Sequence, residues 1–352
     1  MKLARCIISG KRIESNLSRL LNQAEPDVLQ LDWFHEQPAE AWNPQDIKFT
    51  TGGVREEFKI VHKALYLRPQ LRVATNIGGL NVVGAMEALA EFLSEHGSPD
   101  MPIAAIRGEN VLADIDDFLP AMKKIDLANV LSAQVEIGGG PFATALVEGA
   151  RIVVAGAYDL SAPFLAAAVS EGLCGWDDKQ FLGKLTAASQ FVDLLVEAFA
   201  DGRIELDQGA SGELFAPVAE NACSKFWNMR LTMSEGFRAT VLIEMSSVQL
   251  ANLREFCRDQ FSEQPITIKK FVPTGRAENE GDLLVRLEYQ ANSRETCQQF
   301  VDSLQFWLRQ HSDGTIVAPL PSIQLFTKTM LVPVAAERIV LSVDTRPARE
   351  WL

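Results

Sequence analysis

Acids and amides fall at or just after short apolar runs along the first half of the chain: Asp32, Glu36, Asn76, Asn81, Glu109, Asn110, Glu136 and Asp159. Each run reads as a strand, and in a parallel sheet the carboxyl ends of the strands lie on one edge, where ligands bind. Carboxylates gathered there can move a proton, and together with amides they can hold a hard cation such as Mg²⁺ through oxygen. Asp32, Glu109, Glu136 and Asp159 are therefore the candidate acid–base residues. His35, Glu36, Asn76, Gly78, Gly79, Asn81 and Asn110 are the candidate ligand-binding residues. Taken singly, Asp and Asn at such places also cap helices and solubilise loops, so the weight rests on their convergence. Neither a metal nor a cofactor is assigned by these residues.

The stretch around which the chain is organised is Arg72-Val-Ala-Thr-Asn-Ile-Gly-Gly-Leu-Asn81. A short strand, a two-glycine turn and a helix from Val82 to about His96 make a βα corner. Glycine there permits close backbone approach or positive φ, and Asn81 is a natural N-cap whose helix favours anions at its start. The same residues also fit a plain capped corner. As a binding element, Asn76, Gly78, Gly79 and Asn81 would hold an anionic group on uncovered backbone amides.

Several chemistries lack support. Gly138-Gly139-Gly140 does not have GxGxxG spacing, and no GxxxxGK[ST] or GxSxG is present. The four histidines show no zinc spacing, and five scattered cysteines without CxxC fit free thiols in a reducing compartment. A net charge of -13 argues against nucleic acid or an anionic membrane as the main partner. No apolar run reaches transmembrane length, and a cytoplasmic location is expected.

The elements that must position these residues follow in order. Strands are expected over 3–9, 27–34, 72–75, 102–106, 130–137 and 151–155, with helices over 13–23, 58–66, 82–96, 111–124, 141–148, 160–171 and 178–201. A long loop fills 38–53. About six strands alternating with helices imply an α/β fold with a mostly parallel open sheet and helices on both faces, rather than a closed eight-stranded barrel. From Phe237 the pattern changes to βαβ-βαβ: strands over 237–245, 265–272, 282–290 and 322–332, helices over 246–261 and 293–311, and an edge strand over 338–344. That order describes a ferredoxin-like α+β sandwich. The expected division is 1–205 for the α/β domain, 206–236 for a connector and 237–352 for the ferredoxin-like domain. At 352 residues, two domains also suit the length.

Three stretches carry a resemblance. Leu31-Asp-Trp-Phe-His-Glu36, Val73-Ala-Thr-Asn-Ile-Gly-Gly-Leu-Asn81 and Ile152-Val-Val-Ala-Gly156, the last leading to Asp159 and Gly175-Trp-Asp-Asp178, resemble motifs of the acyclic terpene utilisation (AtuA-like) family over about residues 25–200. The chain departs from that family at Ser9-Gly10-Lys11-Arg12, at Ala157, and in lacking Ser-Gly-Asp-Lys-Gly. The resemblance implies a link to the catabolism of a branched carboxylic acid or its acyl-CoA thioester and specifies no reaction; with Asp32, Glu109, Glu136 and Asp159 as acid–base groups, the enzyme reading is lyase or hydratase-like chemistry. The departures leave a non-catalytic ligand-binding or scaffolding subunit as the alternative. A small anionic substrate or acyl-CoA is the expected partner, and the open edges of a ferredoxin-like sheet point to a homo-oligomer.

Overall fold

A computed structural model describes residues 1–8, 13–33, 51–118, 125–191, 195–206, 226–261, 266–271, 283–311, 315–316 and 321–352. His35, Glu36 and most of the expected loop over 38–53 lie outside the described residues. The chain divides into two compact units: 1–125 with 132–231 and 330–352, and 126–131 with 232–329.

The first unit is built on β1 (Lys2–Ile7), α1 (Ile13–Arg19, continued by a π turn over Leu20–Ala24), β2 (Val28–Asp32), α2 (Thr51–Leu67), β3 (Arg72–Thr75), α3 (Val82–Glu95) and β4 (Pro102–Arg107). It continues through α4 (Ile115–Phe118), β5 (Val130–Glu136), α5 (Gly139–Val147), β6 (Ile152–Val154), α6 (Ala162–Ser170), α7 (Lys179–Ala188), β7 (Leu195–Ala198) and β8 (Ile204–Leu206). Its sheet has eight strands in the order β14-β4-β6-β3-β2-β1-β7-β8, with β14 (Ser342–Pro347) at one edge. The five central strands run parallel, and β14, β7 and β8 are added antiparallel.

Side chains alternate across this sheet with period two. Leu29, Leu31, Val73, Ile152 and Val154 pack with α1, α2 and α3 on one side. Leu3, Val28, Ala74 and Val153 face α5, α6 and α7 on the other. Both faces are covered, as a parallel sheet requires. Arg151 ties the loop before β3 to this core by donating to the carbonyls of Leu65, Arg68 and Leu71.

Four expectations need correction. The helix expected over 178–201 stops at Ala188, and 195–198 form β7, which reverses beside β1. The β-branched Val196 suits a strand, and pairing with an open sheet edge decides the conformation of 195–198. β5 is a strand as expected but pairs with β9 (Phe226–Met245), outside the eight-stranded sheet. β9 also starts eleven residues before Phe237, inside the stretch read as a connector. Finally, the last strand, β14, joins β4 of the first sheet, not the second.

The second unit carries the ferredoxin-like arrangement. Its elements are β9, α8 (Ser247–Gln260), β10 (Ile266–Phe271), β11 (Leu283–Ala291), α9 (Arg294–His311) and β12 (Thr315–Ile316), with β13 (Ser322–Ala335) also pairing with β9. The strand order β10-β11-β9-β12, all antiparallel, is that of a βαββαβ sandwich. β11 alternates strictly between buried and half-buried residues. Its inner row, with Val241, Ile243 and Met245, packs on Leu253, Phe300, Leu304 and Trp307 of the two helices. Ser246 and Gln249 close a capping box at the start of α8.

The pairing of β14 gives the first test. Six residues of β14 match β4, and Ala348 beyond it is buried in the core with α3. Deleting residues 341–352 should therefore strip hydrogen-exchange protection from Ile103–Ile106 of β4. Protection at Val285–Tyr289 of β11 should persist. The opposite pattern would mean that the C-terminal strand stabilises the second sheet.

Candidate functional site

At the carboxyl ends of β1, β2 and β3 lies a buried polar cluster. Arg5 and Asp32 are 1% exposed, and Arg5 donates to Asp32 Oδ2 at 2.6 Å. A second guanidinium nitrogen donates to the Ser189 carbonyl at 3.2 Å. Asn76 completes the arrangement: Nδ2 donates to Asp32 Oδ1 at 2.8 Å, while Oδ1 accepts from the Trp33 amide at 2.7 Å. Gln30, opposite Arg5 in the β1–β2 register, and Tyr158 are buried beside them. Burial, aided by the negative charge of Asp32, lifts the Tyr158 phenol well above its usual range, so it stays neutral. Asp32 and Asn76 thus serve each other and the backbone. A buried charge pair is held only where further hydrogen bonds accompany it, and here Asn76 and the Ser189 carbonyl supply them.

The organising turn is closed by its own backbone. The Gly78 amide donates to the Ala155 carbonyl, Gly79 to Asn76 and Asn81 to Gly78. The amides expected to be uncovered at Gly78 and Gly79 are taken. Gly79 adopts φ +48°, the left-handed region that favours glycine. A Cβ on Gly78 would stand 2.5 Å from the Ala155 carbonyl oxygen. Asn81 caps α3 by accepting from the Gly84 amide at 2.9 Å, and Asn110 accepts from the Leu112 amide at 3.2 Å in an exposed turn.

Glu109 follows β4 and is 3% exposed. Its carboxyl lies against Gly156, where a side chain would collide with it. Burial pushes its pKa up to about 7, against the lowering effect of backbone hydrogen bonds at Glu109, Gly156 and Gly108. Next to it, Gln134 of β5 donates to the Gly79 carbonyl at 2.7 Å.

The open site is a cleft of about 500 Å³ within the first unit, lined by two of the four candidate acids, Glu136 and Asp159. Its floor is the amino end of α5, where Gly138 is the N-cap and supplies no side chain to the first amides. Its walls include Trp176 and Trp227, with Phe226 at the rim. A Cβ on Gly138 would come 3.0 Å from the Trp227 indole nitrogen, and one on Gly139 would come 2.8 Å from the Trp176 ring. A Cβ on Gly140 would meet nothing within 4 Å. Glu136 accepts from the guanidinium of Arg230 on β9. Asp159 Oδ1 accepts from both the amide (2.8 Å) and the hydroxyl (2.5 Å) of Ser161, starting α6.

The candidate residues therefore separate. Glu136 and Asp159 share the cleft, Asp32 and Asn76 belong to the buried cluster, and Glu109 adjoins the glycine turn. His35 and Glu36 lie outside the described residues. Among the described residues, no group of three or more His, Cys, Asp or Glu side chains is placed to hold a metal ion. Among them, too, no helix is long and apolar enough to cross a membrane. Sequence reasoning missed Arg5, Gln30, Gln134, Trp176 and Arg230. Arg5, Gln30 and Gln134 carry a usable signal, since each is a polar residue inside an otherwise buried strand. Arg230 has none, because its strand was not foreseen.

Residues 8–197, more than half of the chain, match the family described as acyclic terpene utilisation family protein AtuA. The chain belongs to this family. The matched region of this AtuA family member holds β2, the glycine turn, Glu109, Glu136 and Asp159, but ends before Phe226, Trp227 and Arg230. No curated protein matches the chain.

Two measurements check the buried groups. Asp32→Ala strands Arg5 in the interior and should cost about 3–5 kcal/mol of stability by urea unfolding. For Glu109, the folded pKa lies above the unfolded value of 4.5, so the folded protein keeps a proton that the unfolded chain releases. Stability should then fall as pH rises from about 4.5 to about 7 and level off above, by roughly 3 kcal/mol at most. Glu109→Gln should abolish that slope. An unchanged slope would show that the carboxyl ionises as it does in water.

Proposed function

We propose that this AtuA family member is a catabolic enzyme acting on a branched carboxylic acid presented as its acyl-CoA thioester. The chemistry is acid–base, of lyase or hydratase type. The observation that carries this reading is the cleft, where Glu136 and Asp159 meet the uncapped amino end of α5 between two indole walls. A helix start stabilises negative charge developing on a carbonyl oxygen. A carboxylate beside it can remove the proton α to that carbonyl. Glu136 and Asp159, set against the guanidinium of Arg230, repel a free carboxylate, so an uncharged thioester carbonyl suits the cleft better.

The roles divide by hydrogen bonding. Asp159 uses Oδ1 for Ser161 and leaves Oδ2 without a hydrogen bond among the described residues, which favours it as the proton acceptor. Glu136, steadied by Arg230, is the second acid–base group. A ligand-binding subunit without catalysis is the rival reading, favoured by the same Arg230–Glu136 pair, which already satisfies one acid.

Gly140→Ala and Asp159→Asn separate these readings. Alanine at Gly140 meets open space and should raise stability by about 0.5–1 kcal/mol, since glycine is costly inside a helix. It should nonetheless remove the thermal shift given by acyl-CoA thioesters. Asp159→Asn keeps the Oδ1 acceptor and should preserve that shift while abolishing turnover. Thioester binding without turnover in the unaltered protein would establish the rival reading, and full turnover by Asp159→Asn would exclude Asp159 as the base.

A further inference from the structure

We infer that the start of β9 is the specificity wall of the cleft, selecting the acyl group by its apolar bulk. This rests on the thioester reading above. Phe226, Trp227 and Asn228 line the cleft from a strand that begins after the matched family region ends at residue 197. The acids and the glycine floor come from inside that region. The start of β9 thus adds apolar surface to reacting groups that come from the matched region, which supplies Leu165 and Trp176 as well.

The cleft is also polarised. Glu136, Asp159 and Ser161 sit with the α5 amino end, while Leu165, Trp176, Phe226, Trp227 and Pro333 give apolar surface. A ligand that fits both parts has a polar reacting head and a hydrocarbon tail. The two indoles lie against successive glycines, Gly138 and Gly139, so they bracket the floor as a slot. Phe226 is 59% exposed at the rim, so part of its ring faces solvent. A tail long enough to leave the slot would cover it, and its removal from water would favour binding.

The test measures dissociation constants of butyryl-, isovaleryl- and octanoyl-CoA by titration calorimetry, using the full chain and the variants Phe226→Ala and Trp227→Leu. Phe226→Ala should weaken octanoyl-CoA about tenfold and leave butyryl-CoA within about twofold, in line with the apolar area lost. Trp227→Leu should widen the slot and shift preference from butyryl- toward isovaleryl-CoA. Phe226 is exposed, so its variant decides the question even if Trp227→Leu does not fold. Binding by the unaltered chain with the same preferences in both variants overturns the specificity wall alone. No binding of any thioester by the unaltered chain removes the thioester reading, and this inference with it.

Discussion

Two segments of backbone pass in contact at the carboxyl edge of the first sheet, and the positions of the surrounding groups depend on that crossing. The Gly78 amide bonds the Ala155 carbonyl, and there is no room for a Cβ at Gly78. One residue on, Gly156 is packed between the Gly79 carbonyl and the Glu109 carboxyl. Side chains at either position would separate the β3–α3 turn from the end of β6. Because β6 lies between β3 and β4, that crossing also fixes where β4 delivers Glu109 and where the chain leaves β6 for Tyr158 and Asp159. Packing at this density leaves no slack for adjustment.

Next to the crossing, polar groups do what apolar ones cannot. Arg5, Asp32 and Asn76 occupy neighbouring strands on one face, and each bond has a direction. A shift of one residue between β1 and β2 would turn Arg5 and Asp32 to opposite faces and leave both charges buried without partners. Hydrophobic residues at these positions would hold the strands together but would tolerate such a shift far better. The ion pair therefore acts as a register lock, and Asn76 extends it to β3 by holding both the Asp32 carboxylate and the Trp33 amide.

The parts of this architecture that were legible in the sequence are those set by local pattern. The β1, β2, β3, β4 and β6 strands and helices α3, α5 and α9 follow from apolar period, glycine and capping residues, and the βαββαβ order of the second unit from its two repeats. What stayed hidden depends on partners distant in sequence. Whether β5 joins the parallel sheet or pairs with β9, and which sheet receives β14, is decided by free strand edges, which leave no local trace. The same holds within the site. Glu136 ends β5 and Asp159 lies five residues beyond β6, and the structure puts both at the cleft. The sequence showed Asn76 as a free donor, yet the acceptor Asp32 lies 44 residues away and consumes it. Glycines at 78 and 79 were read as openings for a ligand, whereas Gly78 admits the Ala155 backbone and Gly79 supplies a positive φ.

That distinction separates the two glycine-rich turns. At Gly78 the room of the absent Cβ is taken by the Ala155 carbonyl, and the amides of Gly78 and Gly79 are bonded. At Gly138–Gly140 the absent Cβ atoms are replaced by an indole ring at the first position, by an indole ring and the Ala162 carbonyl at the second and by open space at the third, and the N-cap gives no side chain to the helix. A glycine run serves a ligand only where the room it creates is left open and the amides it bares stay unbonded by the fold. By that criterion the first turn is a structural crossing, while in the second Gly140 leaves room at the floor of the cleft. The carboxylates divide along the same line: Asp32 is consumed by the fold, while Glu136 and Asp159 remain at the cleft.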